Sequence, residues 1–283
     1  MVHVLFTVPF SGLTGGIIPD VPVYAYGFMM MIAFVAGTWM AVRQARRDGI
    51  AEDTIYNTAM MAIVTGIIGS RALYIILFAD ESMTMADWPK IWTGGLVYYG
   101  GVLLGTFVCY LYLRRRPEPL GLVVDCFAPG AAAGIGFGRI GCFLNGCCHG
   151  VRCPADAWYG VRYPADSAAA YQQAWDGLIP YGDAALAVWP AQLMESACGF
   201  LILAVILWRF PKRAYAGQML VYFFILYAVA RFGLEFIRDD TAPYWAIDGV
   251  FSGLKAGQIV ALVTFIFALG LNRVLVRRAA AHA

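Results

Sequence analysis

The chain has 283 residues, of which 61% are hydrophobic and only 13% are charged, and its mean hydropathy is +0.67. Soluble domains contain roughly 45–50% apolar and about 25% charged residues. The charge content is too low to cover a water-facing surface, which excludes a soluble globular protein and indicates a membrane protein. The formal net charge of +2 points to no class of partner, and we expect no nucleic-acid partner.

Seven apolar segments separated by charged clusters follow one another along the chain. They are apolar on every face, as in IVTGIIGSRALYIILF, whereas the strands of an outer-membrane barrel alternate in polarity over about ten residues. A membrane-spanning helix needs about 20 apolar residues. We therefore predict an all-α integral membrane protein with one transmembrane domain of seven helices. The predicted spans are residues 24–43, 55–78, 95–113, 121–145, 191–209, 217–237 and 257–276.

The placement of the basic residues predicts the orientation of these helices. Twelve of the 20 Lys and Arg residues lie at alternate ends of the spans, and only four lie in the opposite loops. By the positive-inside rule the twelve mark the cytoplasmic ends. The N-terminus is then periplasmic, the C-terminus is cytoplasmic, and residues 146–190 form a small periplasmic head or an ordered loop. The twelve are Arg43, Arg46, Arg47, Arg114, Arg115, Arg116, Arg209, Lys212, Arg213, Arg273, Arg277 and Arg278.

Ionisable residues inside the apolar spans predict a functional site. Each costs about 3 kcal/mol or more at bilayer depth unless it is paired or hydrated. Arg231 and Glu235 are four residues apart, so on a helix they share a face and can pair. Arg139 lies among glycines in GIGFGRIGCFLNGCCHG, where a helix or ligand can approach the backbone closely. Together, Arg139, Arg231 and Arg238 predict an anion site suited to a lipid phosphate. The alternative is that these arginines only form structural ion pairs with acidic residues such as Glu195.

A cysteine-rich cluster follows Arg139. Such a density of thiols is typical of zinc sites or, in an oxidising compartment, of disulfides. The spacing does not match a two-plus-two zinc pattern, and two adjacent cysteines are awkward joint ligands. We therefore predict free, buried thiols, no metal and no cofactor, and leave a disulfide that includes Cys153 as the alternative. The cluster comprises Cys142, Cys147, Cys148, His149 and Cys153.

Nearly the whole sequence resembles the prolipoprotein diacylglyceryl transferase family of bacterial membrane enzymes. The most specific block is GRIGCFLNGCCHG, with Arg139, Gly141 and Asn145. Weaker blocks occur in the family's order. They are YGFMM from Tyr26, GSRALY with Arg71, WTGGLVYYGG from Trp92 to Gly101, WPAQLMES with Gln192 and Glu195, ARFGLEFIRDD with Arg231, Glu235 and Arg238, and GLKAGQ ending at Gln258.

The resemblance implies an activity, its partners and its location. Members of the family move the diacylglyceryl group of phosphatidylglycerol onto the lipobox cysteine of a prolipoprotein signal peptide, which forms a thioether and releases glycerol phosphate. This implies a multi-pass enzyme of the bacterial cytoplasmic (inner) membrane. The implied catalytic residues are Arg139, Arg231, Glu235, Tyr99 and Tyr26, and the further phosphatidylglycerol contacts are Arg238, Asn145, Gly141, Arg71, Gln192 and Glu195.

The sequence departs from the family pattern at several of these positions. Tyr99 stands where some members have a histidine proposed as the base, and a neutral tyrosine is a poor base at neutral pH. Either the base lies elsewhere or the field of the arginines suffices. Cys142 and Cys147 replace the family's usual Asn and Glu, and Trp189 replaces a histidine. Two other functions stay open: a membrane thiol oxidoreductase, and a non-enzymatic phospholipid-binding or transport protein.

Overall fold

The computed structural model describes residues 4–8, 21–78, 84–90, 94–239 and 254–281. Within these ranges the chain forms eight α-helices and one antiparallel pair of strands, β1 (Val4–Val8) and β2 (Val21–Tyr24). The strands add a small sheet that the sequence did not predict. The helices are α1 (Ala25–Arg47), α2 (Glu52–Phe78), α3 (Tyr98–Leu113), α4 (Leu120–Asn145), α5 (Ala168–Trp175), α6 (Ala191–Arg209), α7 (Gln218–Leu234) and α8 (Ala256–Ala281).

The chain is an α-helical membrane protein. Five of the described helices are long and apolar enough to cross a membrane: α1, α2, α4, α6 with the short 3-10 turn that follows it, and α8. The apolar helices α3 and α7 are shorter, at 16 and 17 residues. Large apolar side chains such as Ile76, Leu103 and Ile266 are exposed on the helix surfaces. Helices that are apolar on all faces and yet exposed are stable in lipid rather than in water.

The chain divides into two compact units. The first contains the described parts of residues 1–37 and 127–283, and the second consists of the described parts of 38–126. In the second unit α2 and α3 pack closely because glycines face each other: a Cβ on Gly69 would lie 2.4 Å from the carbonyl oxygen of Gly100. Any larger residue at either position would push the helices apart.

In the first unit, small residues bring α4 against α6. A Cβ on Gly199 would lie 2.7 Å from the backbone nitrogen of Gly136. The hydroxyl of Ser196 donates a hydrogen bond to the carbonyl oxygen of Gly136, with an O–O distance of 2.8 Å. Since Arg139 is one turn after Gly136 and Glu195 precedes Ser196, this contact sets the distance between two of the predicted site residues.

Residues 146–190 fold around a core of their own. The helix α5 begins after Ser167, whose side chain accepts a hydrogen bond from the backbone N–H of Ala170 at 3.1 Å. Trp189, which replaces a family histidine, packs its ring against Tyr159 with the centroids 4.2 Å apart. The buried side chains of this core are Tyr163, Ala169, Ala170, Ala185 and Val188.

Candidate active site

Two arginines share one buried carboxylate in the first unit. Nη2 of Arg139, on α4, lies 2.9 Å from Oε1 of Glu195 on α6. Nη1 of Arg238, which follows α7, donates to Oε2 of the same carboxylate at 3.0 Å. The side chains of Glu195 and Arg238 are almost completely buried, whereas that of Arg139 is 22% exposed. The three groups together carry a net charge of +1.

The backbone of Arg238 is held by the loop that follows α4. Gly150 pairs with Arg238 in an antiparallel bridge, and the N–H of Val151 donates to the carbonyl of Ile237 at 2.8 Å. A Cβ on Gly150 would lie 2.6 Å from that carbonyl oxygen, so only glycine fits here without a shift. The ammonium group of Lys255 also donates to the carbonyl oxygen of Arg238. Gly150 and Lys255 were not predicted as site residues, although Gly150 belongs to the cysteine-rich block.

Arg231 and Glu235 form the ion pair that their spacing predicted. Nη2 of Arg231 lies 2.8 Å from Oε2 of Glu235, whose side chain is fully buried. Gly257, at the start of α8, packs directly against this carboxylate, and a Cβ there would lie 2.5 Å from Oε2. Among the described residues, the buried Nη1 atom of Arg231 has no hydrogen-bond partner. Sequence reasoning missed Gly257, and its only signal was its position in GLKAGQ.

Gly141 allows α1 to approach α4. A Cβ on Gly141 would lie 3.1 Å from Cβ of Met29 and 3.2 Å from a ring carbon of Tyr26. The Tyr26 hydroxyl is within electrostatic range of Arg139. Tyr26 and Arg139 are thus brought together by residues of the first unit, and Gly141 acts as the point of close packing.

Gln192 holds the chain just after α4 rather than pointing to an open surface. It is fully buried, and its Nε2 atom donates to the carbonyl of Cys147 at 2.7 Å and to the hydroxyl of Tyr163 at 3.0 Å. Burial raises the pKa of Tyr163 to about 12, so this phenol stays neutral. Asn145 is the last residue of α4, and the thiol of Cys147 donates to the carbonyl of Cys142 in the last turn of that helix. Gln192 therefore positions the cysteine-rich loop.

All seven cysteines carry free thiols. The thiols were predicted to be free and buried: they are free, and Cys153 forms no disulfide, but burial is wrong for three of the four clustered cysteines. Of the clustered cysteines only Cys142 is buried, and Cys147, Cys148 and Cys153 are partly exposed. Cys142, Cys147 and Cys148 lie together beside Arg139.

Arg71 and Tyr99 belong to the second unit. The guanidinium of Arg71 is buried and donates to the backbone carbonyls of Asp87, Trp88, Gly94 and Gly95 at 2.7–3.2 Å. Most of its N–H donors are thus used, and its geometry is that of a residue that holds a loop in place. Tyr99 lies at the start of α3 with an exposed side chain. Trp92 of the same sequence block lies outside the described residues.

The arrangement of the first unit suits the binding of an anion. Of the two ion-paired groups, one joins Arg231 to Glu235, and in the other Arg139 and Arg238 share the carboxylate of Glu195. Arg139 is the most exposed of these arginines, and a guanidinium can bind phosphate oxygens with two parallel hydrogen bonds. The structural-pairing alternative is therefore correct for Glu195 and Glu235, while Arg139 stays partly exposed beside the shared carboxylate.

Comparison with known proteins gives a consistent match. Residues 16–274 match the sequence profile of the prolipoprotein diacylglyceryl transferase family. The chain is 29% identical over 247 residues to a phosphatidylglycerol–prolipoprotein diacylglyceryl transferase of Clostridium tetani, covering 87% of this chain and 91% of that protein. It is 32% identical over 254 residues to the protein of the same name in Xanthomonas oryzae pv. oryzae, covering 86% and 83%. A Clostridium perfringens protein numbered 2 under that name is 30% identical over 224 residues, covering 77% and 80%.

Proposed function

The chain belongs to the prolipoprotein diacylglyceryl transferase family, and from that premise we propose that it transfers the sn-1,2-diacylglyceryl group of phosphatidylglycerol to the lipobox cysteine of prolipoproteins. The thiolate attacks the glycerol carbon that bears the phosphate ester. A C–S bond forms, the C–O bond breaks, and its electron pair leaves on the oxygen of glycerol phosphate. The proton of the thiol passes to a base or to water.

The observation that carries this proposal is the partly exposed guanidinium of Arg139, which is held against the buried carboxylate of Glu195. As the C–O bond breaks, negative charge grows on the phosphate oxygens of the leaving group. Arg139 is partly exposed and already fixed in orientation by its ion pair with Glu195, so it can bind those oxygens without reorganising. Interactions that strengthen as charge develops lower the barrier more than those that bind the resting substrate equally well.

The remaining residues support this centre in different ways. We assign Arg231 to the phosphate as well, with Glu235 fixing its orientation. Arg238 acts with Arg139 on the headgroup or on the peptide near it. Tyr26 positions substrate beside Arg139 through its hydroxyl. These catalytic and binding roles are proposals that rest on charge, burial and proximity.

We propose that two of the predicted contacts act through the protein rather than on the lipid. Gln192 holds the loop at Cys147, and Gly141 allows α1 to pack against α4. In the second unit, Arg71 fixes the backbone around Trp88 and Gly94, and we propose that it holds this loop without touching phosphatidylglycerol.

The thiol of the substrate must lose its proton before it attacks. Tyr99 is exposed at the start of α3, and an ordinary tyrosine with a pKa near 10 is almost entirely protonated at neutral pH. A cationic environment stabilises a thiolate directly. We propose that the positive field of Arg139 and Arg238 favours the thiolate of the substrate, and that Tyr99 contacts the substrate by hydrogen bonding.

We further propose the membrane arrangement predicted from the sequence: one domain with seven spans in the bacterial inner membrane. In this arrangement α3 and α7 cross together with the five longer helices, the N-terminus is periplasmic and the C-terminus cytoplasmic. The basic residues support it, because α1, α6 and α8 each have basic residues in their last turn, and such residues favour the cytoplasmic side of a membrane. Residues 146–190 then form a periplasmic head close to the lipobox peptide.

The reaction is tested with purified protein, phosphatidylglycerol and a synthetic lipobox peptide. The proposal predicts release of glycerol phosphate in equal amount to the modified peptide, and no release with a control peptide in which serine replaces the lipobox cysteine. Lipid binding without release of glycerol phosphate would contradict it. The relatives carry transferase names, and no feature of the described site favours thiol oxidoreduction or transport over the transferase.

A further inference from the structure

Three thiols meet where α4 ends. Cys142 lies in the last turn of α4, and Cys147 and Cys148 follow the helix. Their three Sγ atoms all lie within 4.8 Å of one another. None of the three is bonded to another sulfur, so each can serve as a ligand.

The backbone between these cysteines is folded so that adjacent thiols converge. Gly146 has φ 72° and Cys148 has φ 60°, a left-handed conformation that is uncommon outside glycine. Cys148 is the only non-glycine residue with positive φ among the described residues. In an extended chain two adjacent side chains point to opposite sides, whereas here both reach Cys142. Gln192 fixes this fold through its hydrogen bond to the carbonyl of Cys147.

The charges around the thiols favour the form that binds metals. The thiolate, not the thiol, is the ligand. Two positive groups lie near the cluster: Arg139 is one helical turn before Cys142 on α4, and the backbone of Arg238 pairs with Gly150, two residues after Cys148. Ligation needs deprotonated sulfur, and these arginines stabilise it.

We propose that Cys142, Cys147 and Cys148 bind one Zn²⁺ ion through their three sulfur atoms. Tetrahedral Zn²⁺ with Zn–S bonds of about 2.3 Å places sulfur atoms roughly 3.8 Å apart, so the cluster needs to contract by about 1 Å at most. Each thiol releases its proton to water on binding. Zn²⁺ with three thiolates carries a net charge of −1, which Arg139 and Arg238 offset.

The sequence argued against a metal site because the cysteine spacing fits no two-plus-two zinc pattern and because Cys147 and Cys148 are adjacent. The difficulty of adjacent ligands is removed by the left-handed backbone at Cys148. Three protein ligands leave the fourth position of the tetrahedron open, as in catalytic rather than structural zinc sites. The proposed zinc site does not depend on the proposed transferase activity, because zinc binding can be measured without substrate.

Metal content of the full-length protein in detergent provides the test. After loading with Zn²⁺ and removal of the excess, elemental analysis is expected to find about one Zn²⁺ per chain in the wild type. In Cys142→Ser and Cys148→Ser the content is expected to fall at least about tenfold. Cys198→Ser and Cys153→Ser, which alter cysteines outside the cluster, serve as matched controls and keep the metal. A wild type that retains no more zinc than Cys148→Ser would overturn the proposal.

A second measurement on the wild type guards against variants that fail to fold. Zn²⁺ is expected to protect three thiols from alkylation by N-ethylmaleimide, with the protected residues identified by peptide mass. Co²⁺ in place of Zn²⁺ is expected to produce a thiolate-to-cobalt charge-transfer absorption. Equal alkylation of Cys142, Cys147 and Cys148 with and without Zn²⁺, or a disulfide among them in the reduced protein, would contradict the site.

Discussion

Oε1 of Glu195, whose side chain is almost completely buried, lies 2.9 Å from Nη2 of Arg139 and joins α6 to α4. Its second oxygen accepts from Arg238, so one buried carboxylate orients two guanidinium groups. The partly exposed guanidinium of Arg139 links this geometry to a phosphate leaving group. Removing or displacing the carboxylate should therefore affect both stability and catalysis.

Glu195→Gln tests this arrangement with little change in shape. The substitution removes the negative charge that Arg139 and Arg238 share, and breaking a buried ion pair typically costs roughly 3–5 kcal/mol. We expect a lower melting temperature in detergent and a fall in kcat/KM of about tenfold or more. Glu52→Gln, which breaks an exposed ion pair with Arg46, is the matched control and should change neither quantity appreciably. Equal behaviour of the two variants would refute the role of Glu195.

Gly257→Ala tests the contact between α8 and Glu235. The added Cβ would lie 2.5 Å from Oε2 of Glu235, so the carboxylate must move and its ion pair with Arg231 must loosen. We expect reduced thermal stability and a lower kcat. Gly270→Ala lies on the same helix, where an added Cβ meets nothing within 4 Å, and it should retain activity. If Gly257→Ala is as active as Gly270→Ala, the fixed orientation of Arg231 is not needed.

Arg71→Lys tests whether this residue holds a loop or binds lipid. A lysine has its three donors on one atom and cannot bond the carbonyls of Asp87, Trp88 and Gly94 at once as Arg71 does. We expect faster proteolysis and hydrogen exchange around residues 84–90 and 94–97, whereas KM for phosphatidylglycerol should stay unchanged and only the apparent kcat should fall in proportion to the loss of folded protein. A raised KM with unchanged hydrogen exchange would indicate direct lipid binding instead.

Ionisation of the buried Tyr163 is expected to lower the stability of the folded protein at alkaline pH. Burial raises the pKa of its phenol to about 12, compared with about 10 in an unfolded chain. The neutral form is therefore favoured in the folded state, and the stability that this provides is lost as the pH rises from about 10 to about 12. Tyr163→Phe cannot ionise, so the melting temperature of the wild type should fall more steeply than that of the variant in this range. Parallel pH curves would contradict the assignment.

The helices could be predicted from the sequence because lipid imposes a simple rule. A run of about 20 apolar residues must satisfy its own backbone hydrogen bonds, and a helix does so locally. The predicted segments 121–145 and 191–209 accordingly lie close to the bounds of α4 and α6. The strands β1 and β2 were missed because their pairing joins residues about 15 positions apart and no local pattern signals it.

The candidate site could be predicted only where local spacing determines the contact. Arg231 and Glu235 are one helical turn apart, so their ion pair follows from the sequence. The sharing of Glu195 by Arg139 and Arg238 depends on the packing of three separate elements. The role of Gly257 likewise depends on its contact with Glu235, which comes from another part of the chain. The convergence of Cys147 and Cys148 depends on a backbone conformation that cysteine rarely adopts.

The most direct test of the central claim is the mass of a lipobox peptide after incubation with phosphatidylglycerol and each of three proteins. We expect the wild type and Arg162→Ala, an exposed arginine in 146–190, to add one diacylglyceryl group to the peptide. Arg139→Ala, inserted and folded to the same extent, should add it at least about 100-fold more slowly. Full activity of Arg139→Ala, or no gain of mass with the wild type, would contradict the account.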